Sequence, residues 1–476
     1  MPEIRPITLL AFLLMPFLFT GVSAQQPLPD LLKVVAEGHN LPQSSYGLVV
    51  QEVGSNAPLL AINAQTPFNP ASSIKTLTTL AALQQLGPAW TWKTEIFALG
   101  EISDGNLHGD LLIRGGGDPY LLEEQFRNLL KAIRRTGIRN INGRMLIDAS
   151  RFSPEVSAEE VLDSQGARAY NVRPYALSLN FQAMTFWFTP HANGRDVVIE
   201  TDPVLPNLVI DNRLRLVAGA CGGFQRGISF DADPARTNTI VFSGRFPDSC
   251  SQYSMVRSVL SPDDYVLGMF SKLWEELGGT FSGEGGTALA PEDMEPLLVW
   301  ESPPLIDVIR YLNKYSNNLM ARHLLLTLGQ QKSEGPATVQ AGVDALLAWL
   351  ETRGVETSDI VIANGAGLSR EARISAADMN AVLRFGYRHN LMPEFVSSLP
   401  IAGEDGTMRN RLENVAEPGA VHVKTGTLDE VSAIAGYVYS VSGRVYAVSA
   451  MLNHELADRG PGVEFMDALL RWVSGQ

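Results

Sequence analysis

The order of two hydrophobic patterns along this 476-residue chain limits the folds that it can adopt. Two strand-like runs and a helix-like run lie near the N-terminus, and helical periodicity followed by further strands returns after residue 300. Between them, residues 92–292 contain mostly short strand-like runs separated by Gly, Pro and Asn. Strands at both ends therefore flank a helical middle, and a large β-rich insertion separates the two parts.

Residues 1–24 have the pattern of a secretory signal peptide. A nearly continuous apolar run extends from Ile7 to Phe19, and the small residues that end at Ala24 form a cleavage site. A membrane anchor is the alternative, but a span needs about 20 apolar residues and Pro16 interrupts a shorter run. The sequence therefore predicts a secreted chain that is cleaved after Ala24.

Charge and cysteine content exclude several classes of protein. The chain carries 37 Lys and Arg against 51 Asp and Glu, a net charge of −14, which argues against binding nucleic acid or an anionic membrane through charge. Cys221 and Cys250 are the only cysteines, so a cysteine-rich metal site is excluded. Because secreted chains meet an oxidising compartment, the pair is predicted to form a structural disulfide. The alternative is a redox pair, but the spacing is not C-x-x-C.

The last helix-like run, from Val463 to Val473, has an apolar stripe that would suit either a membrane surface or a protein core. Its polar face lacks the many Lys and Arg residues of a membrane-surface helix, so packing in the core is favoured. At most, a peripheral membrane association is expected.

Several common functional motifs are missing from the sequence. It contains no G-x-S-x-G nucleophile turn, no G-x-x-x-x-G-K-[ST] phosphate loop, no H-E-x-x-H zinc motif and no G-x-G-x-x-G dinucleotide motif. The seven His residues show no metal-ligand spacing. Neither a cofactor nor a metal is therefore expected.

One Ser precedes a Lys at helical spacing. Ser72 and Lys75 open the first predicted helix, and residues three apart share a helix face. A Ser hydroxyl needs a base before it becomes a good nucleophile, and Lys can be that base if burial lowers its pKa. A capping Ser beside a solvated Lys is the alternative, but only Lys75, among eight Lys, has Ser three positions before it.

A Ser-x-Asn motif occurs twice. Ser178 and Asn180 lie in a strand-like pattern within the insertion, whereas Ser316 and Asn318 lie at a junction between predicted helices. The hydroxyl of such a motif can relay a proton, and the Asn amide can hold a substrate carbonyl. For either copy, the alternative is an ordinary turn or helix cap.

Lys424, Thr425, Gly426 and Thr427 lie on a predicted late strand. The amine and the two hydroxyls can bind a carboxylate, and Gly removes the side chain where a substrate backbone must approach. The N–H of Thr427 can complete an oxyanion hole with that of Ser72. The alternative is an edge-strand Lys that opposes aggregation.

Taken in order, Ser-x-x-Lys, Ser-x-Asn and Lys-Thr-Gly resemble the penicilloyl-serine transferase superfamily, which includes penicillin-binding proteins and serine β-lactamases. The long separation of Ser72 from Ser316 narrows the resemblance to D-alanyl-D-alanine carboxypeptidase/endopeptidases of the penicillin-binding protein 4 type. The further segments that match this type are residues 70–72, 115–119, 364–370, 399–403 and 405–407.

The resemblance implies an α+β fold in which a serine β-lactamase/DD-peptidase-like domain, an antiparallel sheet with helices, consists of residues 25–91 and 293–476. Residues 92–292 would form one or more β-rich inserted domains. It also implies a periplasmic enzyme that acts on peptidoglycan peptides and is inhibited covalently by β-lactam antibiotics. Asn317 and Asn364 depart from the Asp that this type often or usually carries, which puts local hydrogen bonding in doubt more than activity.

The resemblance also implies a role for each candidate residue. Ser72 would attack the peptide carbonyl with Lys75 as its base, and Ser316 and Lys424 would relay the proton to the leaving amine. Asn318 would hold the acyl-side amide of the substrate. The residues expected to bind substrate are Asn318, Lys424, Thr425, Gly426, Thr427 and, for a further carboxylate, Arg370.

Two alternatives to a carboxypeptidase and endopeptidase stay open. A serine β-lactamase needs a base for fast deacylation, such as the Glu of an E-x-x-L-N segment, and the nearest look-alike, residues 175–180, has no Glu. A catalytically inactive peptidoglycan-binding protein would bind the peptide without cleaving it, although all the reactive residues are present.

Overall fold

The computed structural model describes residues 27–158, 161–222, 227–232, 235–281, 283–332, 334–413 and 417–476. The predicted signal peptide, residues 1–24, lies outside the described residues. The helices are α1 (Asp30–Gly38), α2 (Lys75–Leu86), α3 (Glu123–Arg135), α4 (Pro154–Ala158), α5 (Pro262–Glu276), α6 (Leu305–Tyr315), α7 (Asn318–Gln330), α8 (Val339–Glu351), α9 (Ala376–Arg388), α10 (Met392–Ser398) and α11 (Pro461–Ser474). The strands are β1 (Tyr46–Glu52), β2 (Leu60–Ile62), β3 (Pro67–Phe68), β4 (Lys93–Ser103), β5 (Asn106–Arg114), β6 (Asn140–Ile141), β7 (Met145–Asp148), β8 (Met184–Pro190), β9 (Val197–Asp202), β10 (Val209–Val217), β11 (Ile228–Ala232), β12 (Thr239–Pro247), β13 (Tyr253–Arg257), β14 (Thr280–Phe281), β15 (Gly285–Thr287), β16 (Leu298–Glu301), β17 (Ile374–Ser375), β18 (Val421–Leu428), β19 (Val431–Tyr439) and β20 (Val445–Asn453).

A five-stranded antiparallel sheet joins the two ends of the chain in the order β18-β19-β20-β1-β2. Successive side chains of each strand point to opposite faces of the sheet. Both faces are buried, because helices cover both. On β19, Ala433 and Tyr437 belong to one hydrophobic core, whereas Ile434 and Val438 belong to another. This double burial explains why β19 is apolar along almost its whole length.

The first of these cores lies under a helical layer formed by α2 and α6 to α10. α2 is central to the layer, since every residue from Lys75 to Leu83 is buried. Helix α1 and the C-terminal α11 pack against the other face of the sheet. The apolar stripe of α11 thus lies in the core, as predicted. In the part of the chain that the structure describes, no helix has both the length and the apolarity that a membrane span requires.

The chain leaves the domain of the five-stranded sheet on β4 and returns to it on β16. These two strands pair antiparallel, from Lys93 with Glu301 to Ile96 with Leu298. Both belong to a seven-stranded sheet, and two three-stranded sheets follow it in the insertion. One core unites these sheets with α3 and α5. The domain boundaries stay a prediction; β16 lies beyond the predicted limit at 292 and pairs with a strand of the insertion.

The strand-like pattern that contains Ser178 and Asn180 is not a strand in the structure. β8 begins only at Met184, and Asn180, Phe181 and Gln182 have φ values of +45°, +57° and +53°. The apparent alternation arises because Leu177 and Leu179 point into the core from an irregular segment.

Cys221 and Cys250 form the predicted disulfide, with 4.9 Å between their Cα atoms and a sequence separation of 29. Cys250 is 1% exposed and belongs to the core of the insertion. The bridge therefore ties an exposed loop to that core, far along the chain from the motif residues of the other domain.

We expect the double variant Cys221→Ser/Cys250→Ser to lower the unfolding free energy of the insertion by about 3 to 4 kcal/mol, because the reduced chain regains the entropy of an open loop of this size. Chemical denaturation followed by tryptophan fluorescence would measure the change. The helical layer does not contain the bridge, so the reactivity of Ser72 should be unchanged; a parallel loss of that reactivity would contradict this separation.

Candidate active site

Ser72 lies in a single 3₁₀ turn, Ala71–Ile74, that leads directly into α2. The preceding Ala71 has φ +42°, a value that non-Gly residues seldom adopt. Two contacts hold it there. The side-chain oxygen of Asn69 accepts the Ala71 N–H at 2.9 Å, and Gly367 approaches so closely that a Cβ there would lie 1.9 Å from the Ala71 carbonyl oxygen. The backbone around the Ser72 hydroxyl is therefore fixed from both sides.

Lys75 is fully buried, and its Nζ has three close neighbours: Ser72 Oγ at 2.7 Å, Asn318 Oδ1 at 2.7 Å and the Ala366 carbonyl oxygen at 2.5 Å. Two of these atoms can only accept a hydrogen bond, whereas the hydroxyl can also donate one. A neutral amine has two N–H bonds and one lone pair, so it can donate to both carbonyl oxygens and accept from Ser72. The geometry thus fits an uncharged Lys75 that receives the Ser72 proton.

Burial lowers the pKa of Lys75 well below its ordinary value, and the nearby Lys424 lowers it further. No carboxylate is among the hydrogen-bond partners described for its Nζ, so no ion pair opposes the shift. An unpaired buried ammonium would cost several kcal/mol, which favours the neutral base.

Ser316 follows the last residue of α6 and adopts a left-handed conformation with φ +58°, which ends the helix and turns the chain towards α7. The buried Nζ of Lys424 donates to Ser316 Oγ at 2.9 Å and to the Thr425 carbonyl oxygen at 2.6 Å. Burial lowers the pKa of Lys424 to about 7. A hydroxyl beside an amine that titrates near neutrality can pass a proton in either direction.

Asn318 begins α7 directly after its N-cap, Asn317, whose side chain accepts the Met320 N–H at 3.0 Å. The cap orients Asn318 so that its Oδ1 meets Lys75, while its Nδ2 donates to the carbonyl of Tyr170 at 3.0 Å. Tyr170 belongs to the insertion, so the insertion reaches the edge of the site.

Asn317 and Asn364, the two residues that depart from the family pattern, both form hydrogen bonds through their side chains. Asn317 is the α7 cap, and Asn364 accepts the Ala366 N–H at 3.1 Å and donates to the Leu368 carbonyl at 2.8 Å. The two hydrogen bonds of Asn364 shape the turn that presents the Ala366 carbonyl to Lys75. The substitutions therefore leave the hydrogen bonding of these two turns intact.

β18 is the edge strand of the five-stranded sheet, and only its first half is covered. Ala402 N–H donates to the Val421 carbonyl and Val423 N–H donates to the Pro400 carbonyl, each at 3.0 Å. Because every second residue of a strand directs its backbone groups to the same side, those of Thr425 and Thr427 point to this outer edge too. An extended substrate can pair there, and the Thr427 N–H can face an oxyanion.

Gly426 is the residue of β18 that faces the turn that carries Ser72. A Cβ at this position would lie 2.6 Å from the Pro70 carbonyl oxygen and 2.9 Å from the backbone nitrogen of Ser72. Any larger residue would push the strand away from the turn. The glycine thus permits the backbone nitrogens of Ser72 and Thr427 to share one site.

The first Ser-x-Asn copy is structural. Ser178 donates to the Tyr175 carbonyl at 3.0 Å, and Asn180 accepts the Glu123 N–H at 2.7 Å at the start of α3. Neither residue contacts the motif residues of the other domain. The second copy, Ser316 and Asn318, is the one that meets Lys75 and Lys424.

Arg370 lies apart from the hydrogen-bonded cluster of lysines. Its guanidinium donates to Asp163 at 3.1 Å and to Asp429 at 3.0 Å, and 41% of its side chain is exposed. It already faces two carboxylates, so binding of a further carboxylate by Arg370 stays a prediction.

Sequence reasoning missed three contributors to the site: the carbonyls of Ala366 and Tyr170, and the hydroxyl of Thr407. Backbone carbonyls leave no mark in the sequence, since any residue supplies one. Thr407 lies in a segment that matched the penicillin-binding protein 4 type, and its Oγ1 is 2.8 Å from that of Thr425. That match was the available signal.

Comparison with known proteins agrees with this geometry. Residues 29–474 match the D-Ala-D-Ala carboxypeptidase 3 (S13) family, and the chain belongs to that family. The predicted relationship and the predicted activity, a serine-type D-Ala-D-Ala carboxypeptidase, are confirmed at this level. The D-alanyl-D-alanine carboxypeptidase of Actinomadura sp. strain R39 is 28% identical over 428 residues, which cover 87% of this chain and 79% of the relative.

Solved structures confirm the predicted α+β fold. Penicillin binding protein 4 from Haemophilus influenzae superposes with a TM-score of 0.79 at 24% identity and covers 94% of this chain and 99% of its own. That protein has also been solved in complex with a β-lactam. A predatory endopeptidase from Bdellovibrio bacteriovorus superposes with a TM-score of 0.53 at 15% identity, covering 90% of this chain and 92% of its own.

The two Ser-x-Asn copies give a matched pair of variants. Ser316→Ala should slow the acylation of Ser72 by penicillin about 10² to 10⁴-fold, the usual contribution of a positioned proton-transfer group. Ser178→Ala should leave the rate within about twofold, because it removes only local bonds in the insertion. Acylation rates with a fluorescent penicillin would measure both, and equal effects would show that the wrong copy has been assigned.

The two buried amines should produce a bell-shaped pH profile of acylation. The rate falls in acid because protonated Lys75 cannot accept the Ser72 proton, and it falls above about pH 7 as Lys424 loses the charge that attracts a carboxylate. Lys424→Arg should lower the maximal rate, because a guanidinium does not give up a proton to Ser316. It should still move the alkaline limb upward, since it stays charged, and leave the acid limb in place. An unchanged alkaline limb in this variant would refute the assignment to Lys424.

Proposed function

We propose that this protein hydrolyses the terminal D-Ala–D-Ala bond of peptidoglycan stem peptides through an acyl-serine intermediate on Ser72, and cleaves D-Ala–diaminopimelate cross-links in the same site. The observation that carries the proposal is the arrangement around Lys75, whose Nζ lies between Ser72 Oγ and two carbonyl oxygens. This arrangement supports a buried, uncharged amine as the base that activates Ser72.

Acylation follows from these contacts. The lone pair of Lys75 takes the Ser72 proton while Oγ attacks the peptide carbonyl carbon. The oxyanion that forms is stabilised by the backbone N–H groups of Ser72 and Thr427. The leaving nitrogen then needs a proton, which Ser316 donates and Lys424 replaces, and the peptide bond breaks.

Substrate binding uses both sides of the nucleophile. Asn318 holds the acyl-side amide, and the stem peptide extends along the outer edge of β18. Lys424 with the hydroxyls of Thr425 and Thr427 holds the terminal carboxylate, while Gly426 leaves room for the backbone to approach. In a cross-link the same groups bind the carboxylate next to the scissile bond.

Deacylation distinguishes this enzyme from a β-lactamase. Among the described hydrogen-bond partners of Ser72, Lys75, Ser316 and Asn318 there is no carboxylate. Water attack on the acyl-serine therefore depends on the buried amines, after the leaving D-Ala has made room. A ring-opened β-lactam keeps its leaving amine tethered at that place, so β-lactams act as long-lived covalent inhibitors.

Endopeptidase activity and location complete the proposal. The open edge of β18 accepts an extended chain, and the Bdellovibrio protein that shares the fold is an endopeptidase. A family that acts on peptidoglycan, together with the signal-like residues 1–24, supports a periplasmic location.

The defining experiment incubates the purified protein with defined monomeric and cross-linked muropeptides and separates the products by chromatography. We expect released D-Ala from pentapeptide monomers and split dimers from cross-linked substrate. Ser72→Ala should abolish both products, and mass spectrometry should locate a penicillin adduct on the peptide that contains Ser72.

Ser73→Ala is the matched control, because its hydroxyl is buried and donates to the Pro70 carbonyl away from Lys75. It should keep the adduct on Ser72. Binding of muropeptides without release of D-Ala would instead indicate an inactive peptidoglycan-binding protein, and rapid turnover of nitrocefin would indicate a β-lactamase.

A further inference from the structure

Lys314, two residues before Ser316, is a third buried lysine at the site. Its side chain is 6% exposed, and its Nζ lies 2.9 Å from Oδ1 and 2.7 Å from Oδ2 of Asp405. It also donates to the Leu399 carbonyl at 2.6 Å. Unlike Lys75, this amine has a carboxylate partner, so the pair is neutral overall and adds no net charge to the site.

The ion pair clamps the loop around Asp405 onto the end of α6. Asp405 Oδ1 also accepts the Ile401 N–H at 2.8 Å, which closes the loop on itself. The next residue, Gly406, has φ +57°, and a Cβ there would lie 2.5 Å from the Lys314 carbonyl oxygen. Charge, hydrogen bonding and close backbone contact thus fix the same loop to the element that carries Ser316.

The clamped loop ends beside the Lys-Thr-Gly strand. The preceding residues pair antiparallel with the first half of β18, Pro400 with Val423 and Ala402 with Val421. The chain then folds back, so that Thr407 lies beside Thr425. The two hydroxyl oxygens are 2.8 Å apart, and the Thr407 side chain is exposed. A further hydroxyl therefore lies beside Thr425, one of the two threonines that the proposed function assigns to the substrate carboxylate.

We infer that Thr407 binds the C-terminal carboxylate of the substrate together with Thr425, and that the Lys314–Asp405 ion pair is the positioning element that holds it there. The inference rests on the proposed function. Of two hydroxyls joined by one hydrogen bond, at least one keeps a free proton, and both can rotate towards an incoming carboxylate. Two donors side by side suit the two oxygens of that group.

Thr407→Val tests the role of the hydroxyl because Val has nearly the shape of Thr. With an N-acylated D-Ala-D-Ala peptide, kcat/KM should fall about tenfold, the effect of losing one hydrogen bond to a charged group. With the same peptide carrying a C-terminal amide, kcat/KM should change less than about twofold. Thr407→Ser should restore the activity with the carboxylate, and Thr237→Val, an exposed threonine of the insertion, is the matched control.

Asp405→Asn tests the positioning element. It should lower the preference for the carboxylate over the amide by a similar factor, and adding Thr407→Val to it should cause no further loss of that preference. Circular dichroism and melting temperature would show that each variant is folded.

The outcomes separate this inference from the proposed function. Equal losses with carboxylate and amide peptides, or a Thr407→Val variant that behaves as the Thr237→Val control, would overturn the inference while the wild-type protein still released D-Ala. Additive effects of Asp405→Asn and Thr407→Val would overturn the positioning role. Failure of the wild-type protein to release D-Ala at all would overturn the proposed function itself.

Discussion

The burial of the Lys75 amine is the constraint on which the rest of the site depends. A charged lysine there would need a carboxylate or water, and its described partners are a hydroxyl and two carbonyl oxygens. To supply those partners, three distant segments must meet: the turn before α2, the start of α7 and the turn that contains Ala366. The helical layer and the sheet can be understood as the scaffold that brings these segments together.

The three lysines of the site show how one side chain takes different roles from its surroundings. Lys75 has only neutral partners, which suits the base that we propose. Lys424 donates to the hydroxyl of Ser316, and burial lowers its pKa to about 7. Lys314 has Asp405 as its partner, so its role is structural. The presence or absence of a carboxylate, more than the depth of burial, separates these roles.

Much of this arrangement could be predicted from the sequence, for reasons that differ between residues. Ser72 and Lys75 are recognisable because both lie on one turn, where spacing alone brings them together. Ser316 and Lys424 are recognisable only by resemblance, since no local rule joins residues on a helix end and a distant strand. The resemblance also selected the second Ser-x-Asn copy. The structure adds what the sequence hid about the first copy: the alternation around Ser178 imitates a strand, but the backbone turns through positive φ values.

The insertion contributes more to the site than its place in the sequence suggests. The carbonyl of Tyr170 accepts the amide N–H of Asn318, and the carbonyl of Val172 accepts a hydrogen bond from Arg322, one turn further along α7. One N–H of the amide that would hold a substrate carbonyl is therefore already bonded to the backbone of the insertion, and the second N–H has no partner among the described hydrogen bonds. The insertion thus orients the Asn318 side chain while its amide can still donate to a substrate carbonyl. The carboxylate end is arranged in a similar way. Lys424 already donates to Ser316 and to the Thr425 carbonyl, and Thr425 donates to Thr407, so an incoming carboxylate must compete with these bonds.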